Sequence, residues 1–253
     1  LGEIGCVWAP EVTYDDKKGK LMIYFTMRFK NEANKLYYVY VNDDFDRIET
    51  LPQILFEYPN EKISAIDGDI TKVGDRYRMF YVSHDGGAGI KQAVSDRING
   101  DYEYDPRWYD FEPRACEAPN LWKRIGEDKW VLMYDVYGIN PHNFAFIETS
   151  DFVNFKNLGR FNEGVMKSTN FNAPKHGAVV HLTTEEADKL EGSRTNGNTF
   201  PRHPYRGIPC SPVIMPTRKY CIPSKRKNTT FIPRRTVYRD GAARASRLSR
   251  PPT

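Results

Sequence analysis

The 253-residue sequence lacks any apolar run of about 18 residues, which excludes a membrane-spanning helix. No charged segment leads into an apolar one at its start, so no signal peptide is legible. It has only four cysteines, Cys6, Cys116, Cys210 and Cys221, and none shows C-x-x-C spacing, which argues against a zinc site. G-x-G-x-x-G, Walker, G-x-S-x-G and H-E-x-x-H patterns are all missing, so the chemistries they carry have no support here. Helical patterning is scarce as well. Only Thr183 to Leu190 reads as a helix, with Thr183 as its cap and Glu186 as the capping-box partner. Acidic residues all but vanish from one stretch: residues 193–253 hold 14 Lys and Arg against one acid, Asp240, and nine of the 17 prolines. Residues 1–192 then carry 23 basic and 32 acidic side chains, so the net charge of +4 conceals an acidic body and a basic tail.

What is present is strand chemistry. Residues that are 40% hydrophobic and 13% aromatic exclude global disorder, and the length permits a buried core. Apolar runs rich in β-branched and aromatic residues recur at 21–25, 36–41, 79–82, 130–134 and 144–147, bounded by Gly, Asp and Asn. A repeat underlies them. Trp8-Ala9-Pro10-Glu11-Val12, Ile66-Asp67-Gly68-Asp69-Ile70 and Glu117-Ala118-Pro119-Asn120-Leu121 each run through a tight turn into a strongly apolar strand. The units start 58 and 51 residues apart, leaving room for further strands between them. Four-stranded units at this period predict a β-propeller, in which each blade is too small to bury its own faces and stacking makes the core. A β-sandwich is the alternative, but its strands have no reason to recur as matched triplets.

The innermost strand of a propeller blade lines the central channel, so Trp8, Asp67 and Glu117 are expected to converge at one end of it. Two carboxylates and an aromatic platform are the minimal equipment for cleaving a sugar acetal: one carboxyl protonates the leaving oxygen, and another activates water or tunes the acid. Trp8 could stack on a sugar ring. Each residue also has a bland explanation: Asp67 before Gly68 suits a turn, Glu117 could end a strand, and His176 could be a hydrogen-bonded structural histidine or a channel-facing ligand. Gly86-Gly87-Ala88-Gly89 follows a strand with no helix after it and reads as a loop.

These segments resemble the family 43 glycoside hydrolases, the five-bladed propeller arabinofuranosidases, xylosidases and arabinanases. The resemblance is carried by Trp8–Asp15, Ile66–Ile70, Glu117–Lys123, Thr149–Phe155 and Lys175–Val180, in order across roughly residues 5–190. It implies an inverting hydrolase of α-L-arabinofuranosyl or β-D-xylosyl bonds in arabinan- or xylan-type polysaccharide, acting as a monomer, of a kind commonly exported. It implies Glu117 as general acid, Asp67 as the carboxylate that raises the acid's pKa and orients it, Trp8 in the sugar pocket, and His176 helping to hold a hydrated ion, usually calcium. In the family the general base is an aspartate on the first blade, before the Trp-Ala-Pro motif. Only seven residues precede Trp8, so that blade and its base are expected to lie outside this chain. Asp15 and Asp16 fall in a turn and do not replace it.

The expected organisation is therefore a partial propeller over 1–192 and a basic tail over 193–253. The fifth blade is expected to stop near Leu190. The tail reads as disordered, or as translated out of frame, because composition changes abruptly; a polyanion-binding arm is the other option. The resemblance implies neither a nucleic-acid nor a membrane partner. Two other functional classes remain: a non-catalytic carbohydrate-binding propeller, and the polyanion binder. A sialidase propeller is disfavoured, because its Ser-x-Asp-x-Gly-x-Thr-Trp motif is absent.

Overall fold

Each apolar run of the repeat becomes the second strand of a four-stranded antiparallel meander. Sheet one orders β1 (Ile4–Asp15), β2 (Lys20–Phe29), β3 (Lys35–Val41) and β4 (Gln53–Phe56). Sheet two orders β5 (Ala65–Val73), β6 (Arg76–Ser83), β7 (Gly89–Ser95) and β8 (Glu103–Asp105). Sheet three orders β9 (Cys116–Lys123), β10 (Trp130–Val136), β11 (Asn143–Thr149) and β12 (Lys156–Arg160). Next come β13 (Gly177–Val180) and α1 (Thr184–Thr195). Last is β14 (Val213–Pro216), which pairs antiparallel with β13. The computed structural model describes residues 2–113, 115–161, 163, 173–195 and 213–216. The expectation for the basic tail thus lies outside the described residues, except at 193–195 and at β14. The all-β class is as expected.

The second strands carry apolar side chains on both faces because neighbours along a strand point to opposite sides. In β6, Met79 and Tyr81 pack toward sheet one with Met22, Tyr24 and Leu36, whereas Phe80 and Val82 pack toward sheet three with Leu121, Leu132 and Tyr134. All four β6 residues are fully buried, and each large side chain so buried contributes about 1.5–3 kcal/mol. A continuous apolar run is therefore what a sheet sandwiched between two others needs.

The first strand of each unit departs from regular pairing at one repeated place. Register shifts fall between Trp8 and Glu11, between Ile66 and Asp69, and opposite Met133 and Asp135. Each contains a non-glycine residue in the left-handed region: Ala9 (φ 48°), Asp67 (φ 51°) and Ala118 (φ 49°), with His176 (φ 52°) ahead of β13. Such residues cost about 1–3 kcal/mol each and gather at functional sites. Pro or Gly follows every one. A Cβ on Gly68 would lie 2.8 Å from Leu36, and one on Gly177 would lie 2.7 Å from Phe144, so a side chain at either would force its buried neighbour to shift.

Side chains of each sheet fasten the next inner strand at two backbone N–H groups. Asp67 N–H donates to Thr26 Oγ1 (3.2 Å) and Ile70 N–H to the Tyr24 hydroxyl oxygen (3.1 Å). Ala118 N–H donates to Asp67 Oδ2 (3.3 Å) and Leu121 N–H to Asp69 Oδ2 (2.9 Å). His176 N–H donates to Asp135 Oδ2 (2.7 Å) and Val179 N–H to Asn120 Oδ1 (2.9 Å). A buried N–H left unpaired costs about 1–3 kcal/mol, so these fasteners set the inner strands side by side.

The turns follow the sequence. Lys17 and Lys18 N–H groups donate to Asp15 Oδ1 (3.0 and 3.1 Å), which makes Asp15 a turn residue, as expected. The capping box is formed: Thr183 N–H donates to Glu186 Oε2 (2.9 Å), and Glu186 N–H returns to Thr183 Oγ1 (3.2 Å). The helix runs on to Thr195, five residues past the expected end; Gly192 weakens a helix without stopping it.

Candidate active site

The inner strands converge on a cavity of about 100 Å³, lined by the left-handed residues Ala9, Asp67, Ala118 and His176 together with Glu11 and Asn120. Two of the sequence-predicted residues, Asp67 and His176, are thus on its wall. Glu117 adjoins it, because its Oε1 lies 3.3 Å from His176 Nε2. Trp8 is not among the lining residues; it is 39% exposed, with the Arg28 guanidinium 5.8 Å from its ring centre.

Glu117 is the most heavily contacted group. Lys175 Nζ stands 2.6 Å from the same Oε1 that His176 approaches. Burial pushes the Glu117 carboxyl up, but hydrogen bonds and positive charge from His176 and Lys175 outweigh it and hold the pKa at about 2. Glu117 is therefore ionised in this arrangement. Asp67 is shifted the other way: burial raises it and the Glu117 charge adds to that, against the opposing pull of His176. Burial also raises Asp135 to about 7, with His176 opposing. Burial lowers His176, yet the Glu117 hydrogen bond and the charges of Asp135, Glu117 and Asp67 leave it raised overall.

Three residues of the site escaped sequence reasoning. Glu11 lines the cavity, and its alignment with Asp69 and Asn120 in the repeat was an available signal. Lys175 and Asp135 carried none: Lys175 aligns with Glu117 but has a different chemistry, and Asp135 reads as the trailing end of an apolar strand. Asp135 is 1% exposed, and its Oδ1 has no hydrogen-bond partner. Glu117, Asp135 and His176 each offer a donor atom, all within 4.8 Å of one another. Two carboxylates and an imidazole, with Asp135 Oδ1 accepting no hydrogen bond, are a donor set that fits a hydrated divalent cation.

A family model described as a probable glycosyl hydrolase domain, of the family 43-related type, matches residues 2–188. No protein of curated function matches the sequence. Among solved structures, the chain is similar to an endo-1,4-β-xylanase of Bacteroides thetaiotaomicron, with TM-score 0.50 and 16% identity over 70% of this chain and 62% of that one. It is similar to an α-L-arabinofuranosidase of Lactobacillus brevis, with TM-score 0.51 and 18% identity over 70% and 61%. It is also similar to a fructofuranosidase of Schwanniomyces occidentalis, with TM-score 0.54 and 10% identity over 71% and 38%. The chain spans 62% or less of the length of each of these three. At such identities the likeness is one of fold.

Proposed function

This chain belongs to the family 43-related glycosyl hydrolase domains, and from that premise we propose that it hydrolyses α-L-arabinofuranosyl or β-D-xylosyl bonds of plant polysaccharide with inversion. The sheets would be blades of a five-bladed propeller, and the cavity where their first strands meet would take the sugar. Glu117 would protonate the leaving oxygen. Asp67, whose Oδ2 holds the N–H of Ala118 (3.3 Å), would fix the strand that presents Glu117 and add the negative charge that raises its pKa. The observation that carries this reading is Glu117 beside Asp67 and His176 at the meeting point of the inner strands.

The ionised state of Glu117 sets a condition on the mechanism. An acid held at about 2 cannot donate a proton near neutral pH. Substrate that drew Lys175 away, for instance onto a sugar hydroxyl, would remove one of the two groups that lower it and leave the His176 contact to orient the carboxyl. His176 would hold a hydrated cation, usually calcium, whose positive charge would steady the carboxylates around it. The resemblance assigns the general base to a blade outside these residues. Glu11 is the carboxylate on the cavity wall that could stand in for it.

Aryl α-L-arabinofuranoside and aryl β-D-xyloside would be tested on this chain and on a version extended through an upstream blade. Turnover only in the extended version supports a base outside this chain. Turnover in this chain that Glu11→Gln abolishes would move the base to Glu11. No turnover by either version, on either sugar, would sink the hydrolase reading.

A non-catalytic carbohydrate binder is favoured by one observation, the ionised Glu117 in its pair with Lys175. Glu117→Gln separates the two, since it abolishes turnover in a hydrolase and barely changes sugar affinity in a binder.

A further inference from the structure

We propose that Asp135 is a positioning residue that holds the imidazole of His176 against Glu117, beyond its task of fastening one strand to the next. Its effect on turnover rests on the hydrolase reading; the placement of the ring does not. Thr26, Val82 and Asp135 occupy one position of the repeat, on the second strand of each sheet opposite Trp8, Ile66 and Glu117. Thr26 fastens the N–H of Asp67 with a neutral hydroxyl. Val82 has no side-chain acceptor, and Asp67 itself takes over the fastening of Ala118. A hydroxyl at this place, or a carboxylate offered instead from the neighbouring strand, is thus enough for the fold.

Sheet three nevertheless buries a carboxyl there, at 1% exposure, which costs more desolvation than a hydroxyl. Fastening occupies Oδ2 alone, and Oδ1 has no hydrogen-bond partner. What the carboxyl adds over a hydroxyl is charge beside the ring. His176 Nε2 lies 4.0 Å from Asp135 Oδ2 and 3.3 Å from Glu117 Oε1, so one nitrogen faces both carboxyls. The backbone of His176 is pinned to the same Asp135 oxygen at φ 52°. The main chain of His176 is thereby bonded to the same oxygen whose charge faces the ring at 4.0 Å, which disfavours a turn of the ring away from Glu117. Lys175 holds the same Glu117 oxygen at 2.6 Å, and its charge also acts on Asp135.

Asp135→Thr installs the residue that sheet one uses, and Asp135→Asn removes only the charge; both keep an acceptor for the His176 N–H. If the first fails to fold, the second carries the test. Nitrogen-15 spectra of the histidine rings, assigned with His176→Asn, should show a protected, hydrogen-bonded Nε2 proton on His176 in the parent chain. Both variants should lose it, with the Val179 amide unmoved. In whichever version turns over aryl glycosides, kcat on a poor leaving group should fall about tenfold or more, because that substrate needs the acid and a ring free to turn no longer orients the Glu117 carboxyl. KM should hold, and a dinitrophenyl glycoside should be little affected. A protected ring proton that survives in both folded variants overturns the proposal, and so does an equal loss on both leaving groups. Loss of the ring signature in a protein that hydrolyses no glycoside would uphold the placement of His176 and overturn the hydrolase reading instead.

Discussion

The contact between sheets one and two and the contact between sheet three and β13 are built to the same plan with different chemistry. The first uses two neutral oxygens, Thr26 Oγ1 and the Tyr24 hydroxyl, to accept the N–H groups of Asp67 and Ile70. The second uses Asp135 and Asn120 to accept those of His176 and Val179. The geometry is shared and the charge is not. Charge gathers at the end of the molecule where Glu117, Lys175, His176 and Asp135 meet, and the fold alone does not require it there. The repeat thus separates what serves packing from what serves the cavity.

Breaking the charged end should have the largest effect. Glu117→Gln should lower turnover on poor leaving groups by about 10²–10⁴-fold, measured as kcat. Next is the core common to both contacts. Phe80 is fully buried against sheet three, and Phe80→Ala should cost about 3–5 kcal/mol by urea unfolding. A smaller loss would mean that sheets two and three separate without consequence. The neutral fastener comes third. Thr26→Val keeps shape but strands the N–H of Asp67, and should cost about 1–3 kcal/mol; Thr26→Ser should restore most of it.

The charged fastener should behave in the opposite way. Asp135 has a folded pKa of about 7 against an ordinary value of 3.8. The native state therefore binds the proton more tightly, and stability is lost as pH rises from about 4 to 7. Asp135→Asn should melt higher than the parent at pH 8 and alongside it at pH 4. Equal midpoints at both would show that the buried carboxyl carries no such cost. A second pH effect, of opposite sign, concerns Glu117, whose folded pKa of about 2 lies below an ordinary 4.5. Its contribution to stability is complete above about 4.5 and disappears as pH falls toward 2. Unfolding of Glu117→Gln should lack that segment of acid sensitivity.

Much of this was legible in the order of residues. The matched triplets at Trp8, Ile66 and Glu117 mark strand, turn and buried strand, and these became β1–β2, β5–β6 and β9–β10. The repeat of small four-stranded units implied stacked sheets, and Met79–Val82 is buried between two of them. The capping box at Thr183 needs only neighbouring residues and formed as read. Asp67 and His176, both named from the sequence, lie on the cavity wall. Trp8, expected to converge with Asp67, lies off the wall, with the Arg28 guanidinium 5.8 Å from its ring centre.

The sequence by itself determined the period, the strand chemistry and the candidate carboxylates, because those depend on residue type and local spacing. Tertiary structure alone decided which oxygen each inner-strand N–H would find. It placed Lys175 and His176 on one oxygen of Glu117, though 58 residues separate Glu117 from Lys175. It also gave three carboxylates opposite pKa shifts: Glu117 down, Asp67 and Asp135 up. The physical reason is that desolvation and charge–charge energy depend on distance and burial in space, and neither is written in the order of residues along the chain.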